Sequence, residues 1–188
     1  NFNHRLLWFV VKRQLEHARM RPVGAAHDEL VAMVFAFHSM EAYLNFIGER
    51  LDRSTWTNER TFFSKEPYRG FAGKMKKVLE LVEPSREARP YSTIWLLKNL
   101  RDQIAHPKTE RYALISPKGP DEDPWTLRVA PFQGLVTRQH AEWAYVDVET
   151  LANGIHERAR KLLGDVVVGE SAFSGPFSLG SGSAKPEA

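Results

Sequence analysis

The chain has 188 residues, enough for one domain with a substantial core, and its 43% hydrophobic and 11% aromatic content exclude a disordered polymer. A formal net charge of +3 tolerates nucleic acid as a partner without requiring it. With no cysteine, disulfide frameworks and thiolate metal sites are excluded. The first apolar run, Leu6 to Val11, is too short for a signal-peptide core or a membrane span, so a soluble, cytoplasmic protein with no membrane partner is expected.

In chain order, Leu6, Leu7, Val10, Val11, Leu15 and Ala18 recur at helical spacing and predict a first helix over 3–20. Arg21-Pro22-Val23-Gly24 breaks it. A second helix is predicted from Ala26 to Leu51, with Leu30, Met33, Val34, Phe37, Met40, Leu44, Ile47 and Leu51 as its apolar stripe. Residues 52–70 read as an irregular polar connection with a short turn near Phe62-Phe63, followed by a shorter helix from Phe71 to Val82. Between Pro84 and Pro90 the pattern breaks again, and a third long helix is predicted from an N-capping Ser92 to Ala105.

Residues 107–146 are rich in Pro and Gly, and Trp125–Val129 and Ala144–Val146 read as short strands of a small hairpin. A final helix is predicted over Asp147–Leu163, with Leu151, Ile155, Ala159 and Leu162 inward. The expected fold is therefore all-α: an antiparallel bundle of four to five helices over 1–165, a Pro-rich β-hairpin insert before the last helix, and a Gly/Ser/Pro-rich tail over 166–188.

Two charges interrupt the stripes. On the third helix Ile94, Leu97, Leu100 and Ile104 define the buried arc, and Arg101 falls on or beside it at four residues from Leu97 and three from Ile104. On the second helix Glu41 falls in the same way between Phe37 and Leu44. An inward guanidinium needs a carboxylate, a carbonyl or an anionic ligand, so Glu41 and Arg101 are candidates for a structural ion pair, and an anionic ligand is the alternative. Pro107 disfavours helical backbone at the residue before it, so the helix ends at or near His106 and the imidazole is released to turn toward Arg101.

Arg101-Asp102-Gln103-Ile104-Ala105-His106, flanked by Leu100 and Pro107, resembles the Arg-x4-His motif of the higher eukaryotes and prokaryotes nucleotide-binding (HEPN) family of helical bundles. Phe37–Asn45 resembles the acidic helix that often precedes the motif helix there. The family spacing allows four to six residues between Arg and His, which is common by chance, and Arg21–His27 satisfies it too with five; the helix-ending context singles out the second match.

The resemblance implies a metal-independent endoribonuclease, often a homodimer, of the toxin or phage-defence type, acting on single-stranded RNA with no cofactor. Arg101, His106 and Asp102 would be catalytic, with Glu41 and Asn45 supporting. The implied partners are RNA, a second copy, and an antitoxin or nucleotidyltransferase. Lys98, Lys108 and Arg111 are candidate RNA contacts; Lys74, Lys76 and Lys77 rank below them as a solvated helix face. Trp125 is the candidate stacking residue. A non-catalytic HEPN-like module that dimerises and binds a nucleotide or protein partner is the alternative. Neither a His-x-x-x-His pair nor a glycine-rich phosphate loop is present, which disfavours a metallohydrolase and an NTPase.

Overall fold

The computed structural model describes residues 3–21, 23–82, 88–106, 131–164 and 170–174. The fold is all-α, and no strand occurs among the described residues. The elements are α1 (Asn3–Met20), α2 (Ala25–Leu51), the short α3 (Arg53–Thr57) and α4 (Glu59–Phe62), α5 (Gly70–Val82), α6 (Ala88–Ala105), a 3-10 turn (Pro131–Leu135) and α7 (Arg138–Leu163).

Two compact units share these helices. The first contains Asn1–Phe9, Ser39–Ser85 and Ala152–Ala188; the second contains Val10–His38 and Arg86–Leu151. α1, α2 and α7 each contribute a segment to both.

In the first unit the core is built from Trp8, Tyr43, Leu44, Ile47, Trp56 and the α5 face Phe71, Met75, Val78, Leu79 and Val82. The expected irregular connection 52–70 contains two short helices. Asp52 starts α3 as its N-cap: its carboxylate accepts from Thr55 N (3.1 Å), Ser54 Oγ (2.7 Å) and Thr55 Oγ1 (2.8 Å), covering donors that the first helical turn leaves orphaned. Lys77 of α5 reaches the same carboxylate at 3.1 Å, tying α5 to the start of α3. Gly48 permits the close contact beneath α3, because a Cβ there would lie 2.0 Å from the Trp56 ring. Much of the expected tail lies outside the described residues, but Glu170–Ser174 is packed. Ala172 is buried, its N–H donates to Asn153 Oδ1 at 3.2 Å, and Phe173 stacks on Trp8 at 4.4 Å.

In the second unit Val11, Leu15, Ala32, Met33, Phe37, Ile94, Leu97, Leu100, Ala144 and Val148 are buried. Arg89 has extended backbone (φ −101°, ψ 131°), the conformation a following proline imposes, so regular helix starts at Pro90 rather than at Ser92. Asp147, expected to begin the last helix, is instead buried within α7, where it accepts from Arg89 Nε (2.8 Å) and Thr93 Oγ1. Its charge is matched across α6 and α7, so it does not interrupt the helix.

Three expectations are corrected. Ala144–Val146 is helical, because Ala141, Ala144, Val148, Leu151, Ala152, Ile155 and Ala159 form one continuous buried face that outweighs the local β preference of Tyr145-Val146. Leu162, assigned to that face, is 61% exposed. On α1 the buried face is His4, Arg5, Trp8, Val11, Leu15 and Ala18, and Leu6 is exposed. The strand expected at Trp125–Val129 lies outside the described residues.

By length and composition α2 could cross a membrane, with a mean hydropathy of 1.4 over its most apolar window. That window is 56% buried within the protein, as befits a core helix.

Candidate functional site

α6 carries Arg101, Asp102 and His106 to its C-terminal end. Arg101 sits at the edge of the buried arc as expected: its guanidinium lies over the Phe37 ring, 4.8 Å from the centroid, and Nη1 is 3.0 Å from Asp102 Oδ1. A π face and a carboxylate together offset the cost of partial burial. Its Nε is buried and has no hydrogen-bond partner among the described residues. Ile104, assigned to the buried arc, is instead 38% exposed, while Leu97 and Leu100 on the same arc are buried.

Asp102 is bracketed by cations. Lys98 Nζ donates to its Oδ2 at 2.6 Å, and this bond, followed by the charge of Arg101, holds the carboxyl below its ordinary range against the opposing effect of partial burial. His106 adds in the same direction. Lys98, expected as an RNA contact, is therefore engaged in an i,i+4 pair on its own helix.

The backbone N–H of His106 donates to Asp102 O at 2.9 Å, the last helical bond, and α6 ends at Ala105. The imidazole is exposed. Gln103 Nε2 donates to Asn99 Oδ1 at 3.1 Å, while its Oε1 is buried without a partner among the described residues. Lys108, Arg111 and Trp125 lie outside the described residues.

Glu41 and Asn45 are half-buried on α2 within the first unit. Asn45 lines a cavity of about 980 Å³ in that unit, together with His4, Glu49, Arg50, Arg53 and Trp56. Arg50 is held over the Phe46 ring, 3.7 Å from the centroid, and donates to Phe46 O at 3.0 Å. Arg5, only 7% exposed, is close enough to Arg50 that burial first, and then this neighbour's charge, lowers its pKa. His4 is fully buried; burial, then Arg5, lowers its pKa to about 4. Tyr43 Oη lies 3.3 Å from His156 Nδ1, and burial raises the phenol far above its ordinary value.

This polar cluster was not anticipated. Its one legible signal was His4 and Arg5 at four and three residues before Trp8, a helical repeat that the neighbouring Leu6-Leu7 masks. The low-ranked lysines of α5 are in ion pairs: Lys74 with Glu59, Lys77 with Asp52, and Lys76 with Glu80. No group of three or more metal-ligating side chains occurs among the described residues.

No family model, curated protein or solved structure matches the chain.

Proposed function

We propose that the protein is a metal-independent endoribonuclease of the HEPN type, with Arg101, Asp102 and His106 as its catalytic residues. One observation carries the reading: an exposed imidazole at the end of α6, one turn beyond a half-buried Arg101–Asp102 pair. These residue types suit RNA, which carries its own nucleophile in the 2′-hydroxyl.

In the proposed reaction the 2′-oxygen bonds to the adjacent phosphorus and the P–O5′ bond breaks, leaving a 2′,3′-cyclic phosphate and a 5′-hydroxyl. His106 takes the 2′-hydroxyl proton or supplies a proton to the departing 5′-oxygen. A second copy would provide the imidazole for the other transfer, as a homodimer does. Arg101 stabilises the phosphoryl oxygens as they gain charge. Asp102, ionised well below neutral pH, balances the guanidinium and orients the end of the helix.

The toxin or phage-defence role, and an antitoxin or nucleotidyltransferase partner, belong to the same proposal. The test is incubation of the protein with single-stranded RNA in EDTA, beside Arg101→Ala and His106→Ala. Cleavage by the wild type and a loss of two to four orders of magnitude in each variant, about the worth of a general acid–base group, are expected. Equal cleavage by all three would eliminate these residues. No cleavage by any would leave the Arg101–Asp102 pair as a structural element of a binding module.

A further inference from the structure

We propose that Glu170–Ser174 is a clasp that detaches from the first unit as a local step, ahead of unfolding, and that mild acid drives the detachment through His4. Clasp and seat both lie within that unit. The seat is made by His4 and Trp8 of α1, Tyr43 of α2, and Asn153 and Arg160 of α7.

The seating is specific but small. Ala172 is 1% exposed, and the Phe173 ring stacks on Trp8 at 4.4 Å, with Tyr43 at 5.8 Å and His4 at 6.3 Å. The Ala172 N–H donates to Asn153 Oδ1 at 3.2 Å, which leaves its carbonyl to accept from the His4 ring. Arg160 Nη1 donates to Glu170 O at 3.3 Å. Within the clasp the Ser174 N–H donates to Ser171 Oγ at 3.1 Å, so the segment turns as one piece. One buried methyl group and one half-buried ring are far less apolar surface than α1, α2 or α7 buries, so the clasp can part without unpacking those helices.

Acid acts through the surroundings of His4, which is itself 1% exposed. Arg5 faces the ring from its own helix, Tyr43 and Arg50 from α2, and His156 from α7; Arg5, Arg50 and His156 each disfavour a further positive charge there. Glu49, Arg53 and Glu59 line the cavity that His4 borders, and Glu59 is paired with Lys74. The bond to Ala172 favours the proton, but burial and Arg5 outweigh it. Lifting the clasp gives up that bond and admits water to the ring, so the larger of the opposing influences is relieved. A ring that holds its proton better once uncovered makes uncovering more frequent as pH falls. Opening bares the face of Trp8 that Phe173 covers.

The test is native-state hydrogen exchange of the full chain, read at the Ala172 amide and corrected for the intrinsic pH dependence of exchange. With about 4 and 6.5 as the pKa of the covered and uncovered ring, the opening equilibrium should rise about twentyfold from pH 7 to pH 5. The amides of Leu44 and Ile47, buried on α2, should stay better protected than Ala172 at both pH values. In His4→Gln, whose side-chain amide can donate to the Ala172 carbonyl but cannot titrate, the rise should vanish. Phe173→Ala should increase opening at both pH values and leave their ratio unchanged.

An Ala172 amide as protected as those of Leu44 and Ile47 would mean that the clasp parts only in global unfolding, which overturns the local step. A wild-type ratio near one, or the wild-type ratio persisting in His4→Gln, overturns the role of His4. Unchanged opening in Phe173→Ala overturns the seat.

Discussion

His4 and His106 set the two regions of interest against each other. His4 is 1% exposed within a packed cluster whose positive neighbours, Arg5 and Arg50, favour the neutral ring. His106 stands in the open where α6 stops, with Asp102 one turn behind it. A histidine available for proton transfer must be reachable by substrate and able to exchange its proton. His106 meets the access requirement and His4 does not. The comparison teaches that burial and charge, rather than residue type, separate a structural histidine from a candidate catalyst.

The largest effect that would sharpen this contrast concerns acid stability. His4 has a pKa near 4 in the fold and an ordinary value of 6.5 when unfolded, so between those limits the unfolded chain binds more protons. The stability His4 permits is fully present above pH 6.5 and is lost as pH falls toward 4, by about 3 kcal/mol at 1.36 kcal/mol per unit. Denaturant melts across that window should show the loss in the wild type and a flatter profile in His4→Gln. An equal slope in the two proteins would remove His4 as the cause.

Next in size is Gly48→Ala. The added Cβ would lie 2.0 Å from the Trp56 ring, and forcing that ring aside should cost about 1–3 kcal/mol. An unchanged melting temperature would mean that Trp56 does not pack on α2 as described. A smaller loss, about 1 kcal/mol, is expected for Asp52→Ala, which removes the cap of α3 together with the partner of Lys77. Urea unfolding midpoints read both.

The smallest effect lies at the end of α6. Lys98→Ala should cost only about 0.3–0.5 kcal/mol, as a partly exposed i,i+4 pair on one helix does. It should nonetheless move the Asp102 carboxyl titration upward, toward the ordinary carboxylate range, because the Lys98 bond is the main influence holding it down. The carboxyl carbon shift of Asp102 followed by NMR against pH would show this; an unmoved titration would assign the depression to Arg101 instead.

Much of the helical framework was legible because long stripes average out local conflicts. The run from Met33 to Ile47 reads as a helix through six stripe residues, of which Met33, Phe37, Met40, Leu44 and Ile47 are buried and Val34 is half-buried. Short or mixed signals misled. Leu6-Leu7 drew the α1 face away from His4 and Arg5, since a buried charged residue looks like a surface residue until its surroundings are known. Tyr145-Val146 suggested a strand, and only the continuous face from Ala141 to Ala159 identifies a helix.

At α6 the position of Arg101 followed from its spacing to Leu97, but its partners did not. An ion pair with the adjacent Asp102 and a face-on contact with Phe37 depend on rotamers that no periodicity encodes. The cavity was illegible for a related reason: it gathers residues from α1, α2 and α3–α4 that are dispersed over more than fifty positions of sequence, about the span from Asn3 to Glu59.

The central claim is that the end of α6 serves RNA cleavage through the substrate's own 2′-hydroxyl. Its most direct test compares a mixed-sequence RNA pool with the same pool bearing 2′-methoxy groups, both with the wild-type protein in EDTA. The account predicts cleavage of the first pool to 2′,3′-cyclic phosphate ends and an intact second pool. Cleavage of both, or cleavage only after divalent metal is restored, would contradict it.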